Sequence, residues 1–305
     1  MEVRQVSYFL AVVDNGGVGS AATALGLSSA SVSQGVRSLE KSLGAELFHR
    51  IGRGVALTAA GRAFVGPARR IVRSASAADS APLSSATSVS GRLDILASVY
   101  VAAHPVARLV GAFRRSHPAV TVRMGALSED DDPAALLRQG HWELVFSHLP
   151  VPAAEFETRA LGVLDYVLVA PPDAHLPPEH VVALAQLPDL PMLLVPRGAP
   201  MRVQIEEQMH QAGTRTRIAV VTHHREALDS MVLDGVGATF MERSGAAELV
   251  ARGAQVRGLD PPVQRAHGVL YDPRRLSRAG AAFLERALTL ADPATPVDPA
   301  PAPSG

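Results

Sequence analysis

The sequence runs to 305 residues, 47% hydrophobic and 19% charged, with no cysteine and a formal net charge of zero. That apolar content suits two or three compact units, and the missing thiols exclude disulfides, thiol redox sensing and thiolate metal sites. No apolar run approaches the roughly 18 residues of a membrane helix, and the acidic opening has no small-residue cleavage site, which reads as a cytoplasmic chain without a membrane partner.

The charge is uneven. Residues 1–90 carry nine Lys and Arg against five acids, so this third is +4 and the remainder −4. A basic head on a mildly acidic body is the layout of a nucleic-acid-binding protein. Lys41 is the only lysine beside abundant Ala, Arg and Pro, a coding bias that makes Arg in place of Lys uninformative.

Val6, Phe9, Leu10 and Val13 recur at i, i+3, i+4, i+7 and predict a helix that stops at Gly16-Gly17. Val18, Ala21, Ala22 and Leu25 repeat that spacing in a second helix, closed by Gly26. Ser28 caps a third helix to Leu43, with Val32, Val36, Leu39 and Leu43 on one side and Gly44 at its end. A short turn between the second and third helices makes a helix-turn-helix candidate. Any small three-helix bundle has such stripes, and the outward face decides. Opposite Val32, Val36 and Leu39 stand Ala30, Gln34, Arg37, Ser38 and Lys41, with Ser29, Ser31 and Ser33 near the entry. Small residues admit close approach to a groove floor, Gln34 suits adenine, and Arg37 and Lys41 suit phosphates. His49 to Leu57 then reads as an extended pair around glycines, a wing presenting Arg50 and Arg53 to the DNA backbone or minor groove.

Thr58 caps a further helix to about Leu83. Phe64, Ile71 and Ala78, and Ala68, Ala75 and Pro82, each recur every seven residues, a seam for pairing two such helices, with Pro67 a kink near the start. Ser84 to Gly91 reads as a hinge. Strand and helix alternate from Arg92: strands at Leu93–Ala97, Val120–Met124, Glu143–Ser147, Met192–Val195 and Ile218–Val221, and helices holding Val106 to Phe113, Pro133 to Arg138, Met201 to Ala212 and Arg225 to Leu233. This predicts a mainly parallel sheet with helices on both faces. The Pro/Ala-rich end, 291–305, reads as disordered.

The stretch from Met1 to Gly61 resembles the head of LysR-type transcriptional regulators. The likeness rests on Met1-Glu2-Val3-Arg4-Gln5, Tyr8-Phe9, Ser20-Ala21-Ala22, Leu25, Ser28 and Ser33, then Leu39-Glu40, Leu43-Gly44, Leu47-Phe48, Arg50, Arg53, Leu57-Thr58 and Gly61, in the family's order without a gap. Ala30 stands where the family commonly has proline and Ser29 where a larger polar residue sits, departures that bear on the operator sequence and not on the fold. Residues 92–290 resemble the family's effector domain through Phe113-Arg114-Arg115-Ser116-His117-Pro118, Leu137-Arg138-Gln139-Gly140 and Asp234-Gly235-Val236-Gly237. The resemblance implies an α/β protein: an all-α winged helix-turn-helix over 1–58, a linker and dimerisation helix with hinge over 59–91, then a two-lobed Rossmann-like effector domain of the periplasmic-binding type. The implied partners are double-stranded DNA, a small-molecule effector and a second or further copies in a homodimer or homotetramer, with RNA polymerase admitted as another.

Ligands of open α/β sheets bind beyond the carboxyl ends of strands. Candidates there are Ser98, Val99 and Tyr100 after the first strand, Phe146 and Ser147 beside His148, Met201 and Arg202 opening a helix after Gly198-Ala199, and Thr222 with His223. Ser98 at a helix start and Arg202 as a carboxylate clamp point to a small organic anion. No metal is expected, because only His223 and His224 are adjacent among eleven histidines and such neighbours point apart. No cofactor or enzyme is expected either: Gly235-Val236-Gly237 is no dinucleotide fingerprint and G-x-S-x-G is absent. The rival readings are an architectural protein binding DNA without sequence preference and a solute-binding protein, which would need an export signal and no basic head.

Overall fold

The computed structural model describes residues 1–52, 54–80, 89–128, 131–197, 200–214 and 216–291. Three helices open the chain, α1 (Val3–Asn15), α2 (Val18–Leu25) and α3 (Ser29–Leu43). Gly26 and Gly44 close α2 and α3 at φ 65° and 67°, the left-handed region glycine enters without strain. Val6, Phe9, Leu10, Ala21, Ala22, Val32, Val36 and Leu39 are buried as their spacing predicts. Val12 rather than Val13 lies innermost on α1. Leu25 and Leu43 are exposed, each being the last residue of its helix.

An antiparallel hairpin, β1 (Phe48–Ile51) with β2 (Gly54–Leu57), forms the wing. Thr58 starts α4 (Ala59–Ser80), its Oγ1 accepting from the Gly61 N–H at 2.9 Å. Here the expected seam is corrected in part. Val65 and Ala68 are buried in the head's own core with Val6, Phe9, Leu10, Leu39 and Leu47, and Phe64 and Ile71 pack on it. The Phe64 ring lies tilted against that of Phe9, centroids 5.4 Å apart. These apolar groups close the three-helix head, which has too few large residues to finish a core alone. Pro82, the end at Leu83 and Ser84 to Ser88 of the expected hinge lie outside the described residues, as does the tail from 292.

The effector domain runs β3 (Gly91–Ser98), α5 (Val99–Val101), a wide π-turn at Ala102–Val106 around Pro105, α6 (Ala107–Ser116), β4 (Val120–Leu127), α7 (Pro133–Gln139), β5 (Leu144–His148), β6 (Glu157–Ala170) and β7 (Val181–Ala183). It continues with β8 (Pro191–Leu194), α8 (Pro200–Gln211), β9 (Arg217–Val221), α9 (Glu226–Leu233), β10 (Thr239–Glu242), α10 (Arg243–Ala251), β11 (Gln255–Asp260), β12 (Val263–Tyr271) and α11 (Arg278–Thr289). The main sheet has the order β4-β3-β5-β12-β6-β11-β7, with β10 also on β6. The expectation of a mainly parallel sheet is corrected to a mixed one. β3 is parallel to β4 and β5, and β7 to β11, but β12 is antiparallel to β5 and β6, and β6 to β10 and β11.

The cause is a pair of long strands that both lobes share. His267 to Tyr271 of β12 lie beside β5, whereas Val263 to Arg265 lie beside Tyr166 to Leu164 of β6, the part next to β10. Helices cover both faces, as expected: Ile95, Ala97 and Phe146 pack under Phe113 and Phe283, and Leu96, Val145 and Leu270 under Ala134 and Leu137. No helix among the described residues is long and apolar enough to cross a membrane.

The linker helix packs directly on this domain. A Cβ on Gly66 would lie 1.8 Å from the Gln139 carbonyl oxygen, so only glycine allows the approach. Arg70 donates to that carbonyl at 2.8 Å and Arg73 to the Gly140 carbonyl at 2.7 Å. Nearby, Asp94 of β3 accepts from Arg92 at 2.8 Å and Arg123 at 2.7 Å and lies within 3.9 Å of Arg69 and 3.8 Å of Arg73. Arg69 also donates to Asp14 of α1 at 2.7 Å, tying head, linker helix and effector domain together.

Candidate DNA-reading surface and effector cleft

The outward side of α3 is assembled as its spacing predicts. Ser29, Ala30, Gln34, Arg37, Ser38 and Lys41 are exposed and Ser33 is half-buried. The side chains of Gln34, Arg37, Lys41 and the wing residue Arg50 make no hydrogen bond or ion pair with another described residue. Ser28 and Ser31 have a structural use at the entry. The Ser28 hydroxyl accepts from the Ser31 N–H at 3.1 Å, and the two hydroxyls lie 2.8 Å apart. Glu40, the one acid within the helix, is drawn off the face by the Leu47 and Phe48 N–H groups at 2.8 and 3.2 Å, which fixes the start of the wing. Gly35 was not singled out from the sequence: a Cβ there would meet the Tyr8 ring at 2.4 Å, so α1 supports α3 only without one. Arg53 lies outside the described residues.

In the effector domain, strand register builds a polar wall that local spacing does not reveal. Glu242 pairs with Tyr166, Tyr166 with Val263, and His148 with His267, so Glu242, Tyr166, His267 and His148 share one face of β10, β6, β12 and β5. Arg265 lies between Val263 and His267 on that same face. Tyr100 of α5 meets Tyr166 edge-on with centroids 6.1 Å apart, and the Arg225 guanidinium, just before α9, stands 4.3 Å over the Tyr100 ring. The wall therefore draws on both lobes. They touch nearby, where a Cβ on Gly245 of α10 would lie 3.0 Å from His104 Nε2.

Several polar atoms of this wall are buried without a hydrogen-bond partner: both Glu242 carboxylate oxygens, the Tyr166 hydroxyl, and Nδ1 of His148 and of His267. Buried polar groups are ordinarily paired, because an unpaired one keeps its desolvation cost. Burial sets the charge states. It pushes Glu242 up to about 7 against the pull of Arg225, and His267 down to about 4. Burial, helped by Arg265, His267 and Arg225, takes His148 down to about 3. Burial likewise raises Tyr166, which stays a neutral phenol. Near neutral pH the histidines are uncharged and Glu242 is half-titrated, and Arg225 and Arg265 are the cationic groups of the wall.

The candidates read from the sequence fall into two groups. Tyr100 belongs to the wall. Ser98 occupies the N-cap of α5 yet does not cap it, and its hydroxyl is buried without a partner at the carboxyl end of β3. Val99 beside it is exposed. Phe146 is corrected to a core residue, fully buried and edge-on to Phe283 at 6.0 Å, while His148 two residues on is paired with His267. Ser147, on the alternate side of β5, pairs with Gly268. Arg202 is corrected as a carboxylate clamp: it is buried, donating to Glu206 at 2.7 Å and to the Val195 carbonyl at 2.5 Å. With Met201 it lines a separate pocket of about 20 Å³, room for one water and not for an effector. Gly198 and Ala199 lie outside the described residues. The Thr222 hydroxyl accepts from the His224 N–H at 2.9 Å, a turn that delivers Arg225, and His223 is exposed.

Tyr166, Arg225, Glu242, Arg265 and His267 were not read from the sequence. Two signals were present: the polar pair Arg265 and His267 within the alternating series Val263, Arg265, His267, Val269 and Tyr271, and an acid closing the short strand before α10.

Comparison with known proteins agrees with this architecture. Residues 3–62 match the family described as bacterial regulatory helix-turn-helix protein, lysR family, and residues 86–292 match the LysR substrate binding domain. The HTH-type transcriptional regulator ShiR of Corynebacterium glutamicum is 32% identical over 221 residues, 72% of this chain and 75% of that protein. The RuBisCO operon transcriptional regulator of Allochromatium vinosum is 28% identical over 95% of this chain and 96% of that one. In fold, the chain superimposes on a full-length OxyR variant from Pseudomonas aeruginosa with a TM-score of 0.71 at 20% identity, covering 95% of each chain. Full-length CbnR complexed with its target DNA gives 0.55 at 24% identity, covering 96% of this chain and 100% of that one. A DNA-reading head and an effector domain, matched over nearly the whole length, make this chain a member of the LysR family of DNA-binding transcriptional regulators.

Proposed function

We propose that this regulator reads its operator through Ser29, Ala30, Ser33, Gln34, Arg37, Ser38 and Lys41, with Arg50 and Arg53 of the wing on the backbone, and senses a small organic anion in the cleft bounded by Ser98, Tyr100 and Arg225. The observation that carries the anionic reading is the pair of arginines on the wall: Arg225 stands near Glu242, whose carboxyl burial holds near neutrality, and Arg265 stands near His148, which burial keeps uncharged. It acts in the cytoplasm as a homodimer or homotetramer, which presents two heads to a two-fold-related site, and it binds its ligand without converting it. A ligand bridging the lobes favours one lobe arrangement and so changes the spacing of the paired heads.

Anisotropy titrations of the full chain on a preferred and a scrambled duplex over a salt series test the DNA half. Gln34→Ala costs about 1–3 kcal/mol on the preferred duplex and narrows the preference. Arg50→Ala weakens both duplexes alike and lowers the salt slope by about one. Identical effects of the two changes would overturn the division of labour, and equal wild-type binding on both duplexes would favour the architectural reading. For the effector half, the expected calorimetric result is carboxylate binding that Arg225→Gln weakens tenfold or more. A neutral or cationic ligand binding in preference sinks the anionic reading.

A further inference from the structure

Glu242 is the anomaly of an anion site. It is 1% exposed, stands at the N-cap of α10 without capping it, and leaves both carboxylate oxygens without a hydrogen-bond partner. Tyr166 on β6 is paired with it and Arg225 before α9 acts on it, while Arg265 on β12, Tyr100 on α5 and the paired histidines His148 and His267 stand on the same wall around Tyr166. Its neighbour Arg243 is turned to Asp165 at 2.5 Å. A simple carboxylate engaging the arginines would add a like charge near Glu242 and leave its oxygens, the Tyr166 hydroxyl and the imidazole nitrogens unmatched. An ammonium group would match Glu242 but meet the arginines. A hydroxyl answers both requirements: it donates to Glu242, accepts from Tyr166, and adds no charge.

We propose that the effector is a hydroxylated carboxylic acid whose carboxylate is held by Arg225 and Arg265 and whose hydroxyl donates to Glu242, making Glu242 the residue that selects hydroxy acids over their deoxy parents. This rests on the anionic reading of the cleft. The selection has a defined physical source, because a site built to hydrogen-bond a hydroxyl rejects the analogue that leaves its buried groups unpaired. It also predicts proton linkage. Glu242 is half-protonated near pH 7 and must ionise to accept fully, so binding releases up to about half a proton at that pH and strengthens as pH rises from 6 to 8.

The test is calorimetry of the full chain with matched acids, benzoate against 3-hydroxy- and 3,4-dihydroxybenzoate and succinate against malate, with 3-aminobenzoate as the amine arm. Runs in buffers of different ionisation enthalpy read the proton release. At least one hydroxy acid is expected to bind ten times tighter than its parent with proton release. Glu242→Gln should bring that ratio below about threefold, by weakening the hydroxy acid and strengthening the parent, and abolish the release. Thermal unfolding of Glu242→Gln at or above the wild-type temperature shows that the fold survives. Parent and hydroxy acid binding alike to the wild type, an unchanged ratio and proton release in Glu242→Gln, or preference for the amine would each overturn the proposal while sparing the anionic reading. Binding of no acid, parent or hydroxylated, overturns the anionic reading itself.

Discussion

Asp94→Asn is expected to lower the unfolding free energy by about 3–5 kcal/mol, the range for stripping the partner from buried charges. Its carboxylate is 4% exposed and stands among four guanidinium groups, Arg69, Arg73, Arg92 and Arg123, of which Arg69 and Arg73 are themselves largely buried. Burial already depresses the Arg73 pKa, with Arg69 and Arg70 adding to it against the pull of Glu143 and Asp94. Asparagine keeps the shape and removes the charge, so the arginines would repel with Asp14, which accepts from Arg69 and Arg92, and Glu143, which acts on Arg73, left to offset them. Urea unfolding of the single variant and of Asp94→Asn/Arg123→Met measures it. The second change should recover part of the loss by removing one unpaired charge, and a single-variant cost below about 1 kcal/mol would show that the cluster does not hold the junction.

The position of this cluster links it to function. Asp94 and Ser98 lie four residues apart on β3, about 13 Å along a strand. One end of β3 is thus fixed to the linker helix and the head, and the other ends at the proposed effector cleft. A lobe movement that displaces Ser98 carries Asp94 with it, because the strand between them is hydrogen-bonded on both sides, to β4 and β5.

How far the sequence could be read follows from the range of the forces involved. The head was legible because its signals are local. Helical spacing put Val32, Val36 and Leu39 inside, glycines stopped the helices, and Ser28 supplied a cap, all within a few residues. The linker seam was half misread because a heptad says that a face is buried and not against what; Phe64 and Ala68 found the head's own core. In the effector domain the alternating units before α9 were visible, but the mixed sheet was not. β6 and β12 pair residues about a hundred positions apart, and the equally non-local registers of β10 on β6 and of β12 on β5 bring Glu242 beside Tyr166 and His148 beside His267. Phe146 and Arg202 failed as ligand contacts for one reason: a residue at a strand or helix end can turn into the core, and an arginine with a glutamate four residues on is already partnered.

The buried wall also predicts how stability depends on pH. His148 and His267 are held neutral, with pKa values of about 3 and about 4 against an ordinary 6.5. Their burial is fully stabilising above pH 6.5 and is lost as the pH falls toward those values, since the unfolded chain takes up protons the folded one refuses. At about 1.4 kcal/mol for each tenfold difference in proton affinity, the two together stand for roughly 8 kcal/mol. Glu242 acts in the opposite sense. Its raised value, about 7 against 4.5, favours folding at low pH and costs about 3 kcal/mol by the time pH exceeds 7. The expected net result is a loss of about 5 kcal/mol between pH 7 and pH 3. Between pH 6.5 and 4.5, where the unfolded chain gains two protons and the folded chain one, the slope should be about 1.4 kcal/mol per pH unit. His267→Gln removes one of the two protons and should flatten that slope almost to zero, whereas Glu242→Gln should roughly double it. Urea midpoints measured across pH 7 to 4.5, above the range where most carboxylates titrate, read these slopes directly. A wild-type profile flat over that range, or one that neither substitution alters, would show that these side chains do not reside where the fold puts them.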